Sequence, residues 1–149
     1  MKKSLLAGLL VLIAASSVFA MGGTVPPREE LTAEEILYLD NVMAAPLEMT
    51  IPAKDIKNAW DRAQGFVGRY SNMKIQVSTD YAIQTYTPEK FSGDYGYYVN
   101  KMKTEAGEYT ISVQCIGTGA FSNKDQLANQ QILAYYIKTG KVMPKFITH

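Results

Sequence analysis

The chain has 149 residues, of which 47% are hydrophobic and 19% are charged, and its formal charge is +1. A nearly neutral chain of this size suits one domain with its own core, and it excludes a strong electrostatic attraction to nucleic acid or anionic membranes. The single cysteine, Cys115, excludes an intramolecular disulfide, so stability is expected to come from the core and from hydrogen bonds.

The first twenty residues have the three-part pattern of a secretory signal peptide. Met1-Lys2-Lys3 is a basic head, the stretch 5–15 is apolar and uncharged, and Val18-Phe19-Ala20 places small residues at a cleavage site. The apolar stretch is shorter than the roughly 20 residues that a spanning helix needs. We therefore predict a signal peptide at residues 1–20, a soluble periplasmic or secreted protein, and no membrane span. Cleavage would remove two lysines and change the net charge from +1 to −1.

Charge is unevenly distributed in the remaining chain. Residues 21–31 contain two glycines, two prolines and three charges, and they are predicted to form a flexible leader. Residues 21–50 carry a net charge of −5, whereas residues 51–149 carry +4. We expect the acidic N-terminal part to dock on the basic body of the same chain, and the alternative is an exposed arm that binds a basic partner.

Two helices are predicted after this leader. Thr32 and Glu35 have the spacing of a capping box, so a first helix is expected from there until Pro46. A second helix is expected to begin near Pro52, which a first helical turn tolerates. Apolar residues then recur every three or four positions as far as Tyr70, which is typical of an amphipathic helix.

Strands are predicted next, because the apolar period changes from 3.6 to 2. Residues 73–87 keep one alternating phase throughout, so one long or bent strand is favoured over two short ones. Further strands are expected at residues 95–103 and 109–115. Tyr81 and Tyr109 are predicted to be core residues, because they are in phase with aliphatic side chains.

A last helix is predicted from Ser122 to Gly140, and the tail at residues 141–149 is a candidate edge strand. The order helix, helix, strands, helix indicates an α+β fold. We predict a single domain at residues 32–149, with an antiparallel meander of three to four strands and helices packed on one face.

Tyrosine and glutamine residues predict a binding surface. Tyrosine combines a flat apolar ring with a hydroxyl, and it is favoured at binding surfaces. The open side of the sheet is predicted to be polar but almost uncharged, whereas ordinary solvated faces carry more Lys and Glu. Its expected members are Gln76, Ser78, Gln84, Tyr86, Tyr98, Asn100, Thr110, Ser112 and Gln114. The candidate binding residues are Tyr86, Tyr95, Tyr97, Tyr98, Gln84 and Gln114.

Motifs for metal or nucleophilic chemistry are not found in the sequence. Cys115 is in phase with aliphatic residues and is predicted to be a small core side chain, and His149 is the terminal residue. Zinc and EF-hand spacings do not occur. Glu89 and Asp94 flank a loop where they are expected to be solvated rather than to share a calcium ion. The turn 117–120 precedes a helix but lacks the residues of a specific phosphate-binding motif. We predict no metal and no cofactor.

The predicted function is non-enzymatic binding. The favoured partner is another protein of the cell envelope, with the chain acting as an inhibitor, immunity factor or assembly factor. A second hypothesis is a small-ligand or glycan binder that uses a Tyr-rich surface or cleft. A third is a hydrolase that uses two of the carboxylates of Asp80, Glu89, Asp94 and Glu108. A deep pocket lined by tyrosine and an acid would favour the second or third hypothesis, and a convex surface would favour the first.

Overall fold

Three helices and a five-stranded antiparallel sheet form the fold, and the computed structural model describes residues 26–118 and 122–149. In chain order the elements are α1 (Ala33–Met43), β1 (Glu48–Ile51), α2 (Ile56–Tyr70), β2 (Ile75–Ser78), β3 (Ala82–Thr85), β4 (Tyr95–Lys103), β5 (Tyr109–Gly117) and α3 (Ser122–Thr139). Short 3-10 turns add Arg28–Glu30 and Pro144–Phe146. The predicted α+β class is confirmed, with five strands instead of three or four. The predicted signal peptide lies outside the described residues.

The strand order is β1-β5-β4-β3-β2, and every neighbouring pair is antiparallel. Side chains on one side of the sheet join the helices in one hydrophobic core. The buried sheet residues are Met49, Ile51, Ile83, Thr85, Tyr95, Tyr97, Val99, Ile111, Val113 and Cys115. Alternate residues of the strands therefore point to the opposite side, which we call the open face.

Helix α1 begins where the capping box predicts it. The Thr32 hydroxyl accepts a hydrogen bond from the Glu35 amide at 3.3 Å, and the Glu35 carboxylate accepts one from the Thr32 amide at 2.9 Å. Lys145 of the C-terminal tail also donates to Glu35, and these two bonds hold the pKa of the Glu35 carboxyl below its usual value. Tyr38 is buried at 6% exposure. The acidic N-terminal part is thus docked on the body of the chain.

Helix α2 begins four residues later than Pro52, because Pro52 and Asp55 first form a turn closed by a 2.9 Å hydrogen bond. The predicted apolar side is the buried side of the helix, with Ala59, Trp60, Ala63, Phe66 and Val67 at 5% exposure or less. The exposed polar side chains of the helix are Lys57, Asn58, Asp61 and Arg69. The amphipathic pattern therefore predicted both the helix and its orientation.

Residues 73–87 form two strands and not one, so the prediction of a single long or bent strand is wrong. Thr79 begins the turn between β2 and β3: its amide donates to the Ala82 carbonyl at 2.9 Å, and its hydroxyl accepts from the Ala82 amide at 3.0 Å. A bulge near Gln76 shifts the register by one residue. Because of this shift, apolar residues before and after the turn keep the same alternating phase, and the sequence pattern does not reveal the turn. Tyr81 lies in this turn and is 68% exposed, so its assignment to the core is also wrong. Tyr109 is half-buried.

Strand β1 is the strand that the sequence did not predict. It has only four residues, in which Met49 and Ile51 are buried and the other two are exposed. It pairs with residues 109–112 of β5 and forms one edge of the sheet. A run of four residues after a proline carries too little alternation to be distinguished from a loop.

The C-terminal tail packs into the core instead of forming an edge strand. Phe146 and Ile147 are buried at 1% and 4% exposure. Asn129, at 0% exposure, holds the tail through both ends of its amide: it donates to the Thr148 carbonyl and accepts from the Thr148 amide, each at 2.9 Å. This paired bond satisfies a buried side chain and a chain end together. Across the described ranges, no helix is both long and apolar enough to cross a membrane.

Candidate functional site

The open face carries a block of four polar side chains at its centre. Tyr98 pairs across strands with Gln114, and Asn100 pairs with Ser112. Gln84 extends the first row beyond Tyr98. The open-face members identified by register are Glu48, Thr50, Val77, Ala82, Gln84, Tyr98, Asn100, Met102, Thr110, Ser112 and Gln114. The predicted member Ser78 instead pairs with Ile83 and lies on the same side of the sheet as that core residue. This surface is neutral apart from Glu48 at its β1 margin.

Three members of this central block have free hydrogen-bonding groups. Within residues 26–118 and 122–149, the side chains of Asn100, Ser112 and Gln114 form no hydrogen bond to protein atoms. The Tyr98 hydroxyl, in contrast, lies 3.1 Å from the Thr87 hydroxyl. The block therefore offers amide and hydroxyl groups that water or a partner must satisfy.

A depression of about 410 Å³ lies over this block and reaches the β5 edge. Its polar lining consists of Tyr98, Asn100, Ser112, Gln114, Gln126 and Gln130, and its lining contains no charged side chain. A shallow neutral concavity of this kind can accept hydrogen-bonding groups without burying a charge.

Two glutamines of α3 form the wall of the depression by completing the β5 edge. Strand β1 stops pairing at Ser112, and beyond it the Gln130 amide accepts from the Cys115 amide at 3.2 Å and donates to the Val113 carbonyl at 2.8 Å. Gln126 donates to the Gly117 carbonyl at 2.9 Å. Gln126 and Gln130 are four residues apart, so they lie on the same side of α3 and face the same strand edge.

The sequence did not identify these glutamines as site residues. The available signal was the run of amide side chains at positions 126 and 129–131, in a helix whose second half is apolar around most of its circumference. A buried or half-buried amide needs hydrogen-bond partners, and here the partners are backbone groups of other segments. In addition to the bonds of Asn129, Gln126 and Gln130, Gln131 donates to the Met43 carbonyl at 3.0 Å.

The six candidate binding residues divide between the two sides of the sheet. Gln84, Tyr98 and Gln114 form one row of the open face, and Tyr86 follows β3 with 51% exposure. Tyr95 and Tyr97 lie on the core side. Four of the six are thus accessible to a partner.

Tyr95 and Tyr97 belong to the core and not to the binding surface. They are 7% and 0% exposed. Successive strand residues point to opposite sides of the sheet, so Tyr95 and Tyr97 lie on the same side as the buried Val99. The Tyr97 ring packs edge-on against Phe66 with centroids 5.7 Å apart. Burial, with the nearby Asp125 carboxylate, raises the pKa of the Tyr95 hydroxyl to about 12.

The Cys115 thiol is buried at 3% exposure beside Tyr97, and burial raises its pKa to about 12. We expect the native protein to react with Ellman's reagent only on unfolding, because the thiolate is the reacting species. The unfolded thiol ionises near pH 8.5, so stability should fall as the pH rises above that value towards 12. The measurement is the thiol reaction rate with and without denaturant. Rapid reaction of the folded protein would contradict this burial.

The four acids of the hydrolase hypothesis line neither the depression over the open face nor the concavity between α1, the end of α3 and the tail. Asp80 lies in the β2–β3 turn, Glu89 and Asp94 lie in the β3–β4 connection, and Glu108 lies just before β5. Asp80 therefore lies at the opposite end of β3 from Glu89 and Asp94. Among the described residues, no group of three or more His, Cys, Asp or Glu side chains is arranged to hold a metal ion.

A second concavity, the helix groove, lies between α1, the end of α3 and the tail, with a volume of about 480 Å³. It is lined by Glu34, Leu37, Tyr38, Asn41, Tyr135, Tyr136, Gly140, Lys141, Val142 and Met143. The Tyr38 and Tyr135 rings meet edge-on with centroids 5.6 Å apart, and Leu37 is 63% exposed at the rim. The groove thus combines tyrosine rings with one acid and one base.

Comparison with family models, curated proteins and solved structures found no match to this chain.

Proposed function

We propose that this chain is an exported, non-enzymatic binding protein that engages a protein partner of the cell envelope through the open face. The signal-peptide pattern of residues 1–20 supports export to the periplasm or the medium. The observation that carries the binding role is the central block, in which the side chains of Asn100, Ser112 and Gln114 form no hydrogen bond within the described ranges. An inhibitor, immunity factor or assembly factor would use such a surface.

The chemistry of the block suits a protein interface. Interface centres are depleted in charged residues and enriched in tyrosine, as the row Gln84–Tyr98–Gln114 is. Burying uncharged amides against a partner avoids the desolvation cost of a charge, provided that each amide gains a hydrogen bond. Tyr98 adds an aromatic ring whose hydroxyl already has a partner in Thr87. The block therefore has the composition of an interface centre, not of an ordinary solvated sheet face.

The test compares capture by the wild type with capture by a Tyr98→Ala/Gln114→Ala double variant from an envelope extract of the source cell. Each captured protein is identified by mass spectrometry, purified and titrated. We expect its affinity for the double variant to fall at least about tenfold, because hot-spot tyrosines commonly contribute that much. Lys54→Ala and Arg69→Ala, which change exposed side chains outside the strands, serve as controls. Equal affinity of the double variant and the controls would refute the proposal.

The helix groove supports a second candidate function, which is the binding of a small ligand or glycan. Its volume of about 480 Å³ is in the range of ligand sites, and it has the tyrosine lining and single acid that favour this hypothesis. A thermal-shift screen of glycans and small aromatic compounds tests it. A true ligand should raise the melting temperature of the wild type but not of Leu37→Arg, which would place a long charged side chain at the rim. An open-face variant should respond like the wild type.

A further inference from the structure

The connection between β3 and β4 presents a phenylalanine in a conformation that phenylalanine rarely adopts. The Ser92 amide donates to the Glu89 carbonyl at 3.1 Å and closes a four-residue turn. Phe91, the third residue of this turn, has a φ of +65°. Turns with a positive φ at this position normally place glycine there, because a bulky side chain is strained in the left-handed region. Gly93, with a φ of +81°, shows that the same loop uses glycine elsewhere.

The Phe91 ring is also exposed to water. Its exposed fraction of 71% is the largest among the large hydrophobic side chains of the described residues, and its only ring contact recorded there is Lys90, whose ammonium lies 5.1 Å from the ring centroid. Within the residues that the structure describes, packing compensates neither the backbone strain nor the exposed ring. Such uncompensated strain is characteristic of residues that act on a ligand or partner.

Hydrogen bonds hold the loop that carries this ring. The Thr118 hydroxyl donates to the Glu89 carbonyl, which ties the start of the turn to the end of β5. The Asp94 amide donates to the Ser92 hydroxyl at 3.1 Å, and the Asn72 amide donates to the Asp94 carboxylate at 3.3 Å. A loop held in advance loses less conformational freedom on binding.

The loop adjoins the open face. Thr87, near the start of the connection, meets the Tyr98 hydroxyl at 3.1 Å, so loop and central block are joined by a direct contact. Tyr86, with 51% exposure, precedes Thr87. One partner can therefore cover the open face and the Phe91 ring together.

We propose that Phe91 is the anchor of the interface, inserted into an apolar pocket of the partner protein that has carboxylates at its rim. We infer the carboxylates from Lys90, whose ammonium lies over the Phe91 ring. Insertion of the ring would remove water from this ammonium, and an opposite charge on the partner would then be required. Glu89 and Asp94 flank the turn and oppose a uniformly anionic lipid surface, whereas a protein pocket can place its carboxylates beside Lys90 and away from these two acids, which favours a protein pocket over a membrane. This inference rests on the proposed protein-binding function and adds the residue and pocket chemistry.

The first measurement needs only the isolated protein. Phe91→Gly should leave the melting temperature unchanged or raise it, because glycine adopts a positive φ without strain. A fall of more than about 3 °C would show that Phe91 stabilises the fold, and it would overturn the proposal. Tyr81→Ala is the matched control, since Tyr81 has a similar exposure of 68% and lies at the opposite end of β3.

The second measurement uses a photo-cross-linking amino acid at position 91, 81 or 114 in the full chain within the source cell. The protein cross-linked at position 91 is purified and titrated with each variant. We expect its affinity for Phe91→Gly to fall at least about tenfold and its affinity for Tyr81→Ala to stay unchanged. Charge reversal at Lys90 (Lys90→Glu) should also weaken binding.

The outcomes separate this inference from the proposed function. Cross-linking of a protein at position 114 but not at 91 overturns the role of Phe91 alone. Cross-linking at neither position overturns both proposals. Binding of Phe91→Gly with wild-type affinity overturns the anchor. Wild-type adsorption to vesicles of phosphatidylglycerol and phosphatidylethanolamine that is lost in Phe91→Gly would assign the ring to a membrane surface and also overturn it.

Discussion

Asn129→Leu is expected to lower the free energy of unfolding by about 2–4 kcal/mol. The substitution keeps the number and branching of the side-chain heavy atoms but removes two hydrogen bonds to Thr148, each of 2.9 Å, at a residue with 0% exposure. Loss of a buried hydrogen-bond partner typically costs 1–3 kcal/mol. Denaturant titration followed by the fluorescence of Trp60, the one tryptophan of the chain, measures the change.

Gln131→Leu is the control for this prediction. Gln131 lies two residues further along α3, and its side chain makes one hydrogen bond among the described residues, to the Met43 carbonyl, so its loss should cost only about 1 kcal/mol. Deleting residues 146–149 should destabilise the protein as well, since Phe146 and Ile147 are buried. If Asn129 acts by holding the tail, the deletion and Asn129→Leu together should cost less than the sum of their separate effects. Additive losses would contradict that role.

Phe66→Ala is expected to lower the free energy of unfolding by about 3–5 kcal/mol. Phe66 has 0% exposure and connects α2 with the sheet and with α3: its ring lies 5.7 Å from Tyr97 and 5.8 Å from Tyr136, between centroids. Since small domains have a total stability of about 5–15 kcal/mol, the variant should be partly unfolded at moderate temperature. Calorimetry and circular dichroism measure the loss.

Gly65→Ala, the neighbouring position in α2, is the matched control for Phe66. A Cβ there meets nothing within 4 Å, so the alanine should stabilise the helix by about 0.5–1 kcal/mol. A higher free energy of unfolding for Gly65→Ala and a lower one for Phe66→Ala would show that Gly65 lies on the solvent side of α2 and Phe66 on its buried side. A loss below about 1 kcal/mol for Phe66→Ala would mean that α2 and α3 do not share the core described above.

Local patterns were sufficient for most elements of the fold. The capping box at Thr32 and the apolar stripe of α2 predicted two helices, because both depend on residues within a few positions of one another. The β2–β3 hairpin was missed for a physical reason. Its three-residue turn and bulge together keep the alternation of residues 73–87 in phase, so a continuous strand and a bulged hairpin have the same sequence pattern.

The candidate site was only partly predictable. Strand alternation placed Gln84, Tyr98 and Gln114 on one side of the sheet, and the structure brings them into one cross-strand row. The same alternation, applied within 95–98, would have assigned Tyr95 and Tyr97 to the core. Gln126 and Gln130 were out of reach, since their role is to complete a strand edge that exists only because β1 is short.

The sequence by itself determined the α+β class, the helices, the neutral charge of the open face and the burial of Cys115, because each follows from composition or from periodicity within one segment. Tertiary structure alone decided how the segments meet. It decided that the tail enters the core under Asn129 and that the acidic α1 docks through Glu35. It also decided that Phe91 remains strained and exposed beside the open face. Hydrogen bonds and contacts between residues distant in the chain produce no periodic pattern in the sequence around either residue. For this reason only the tertiary structure reveals them.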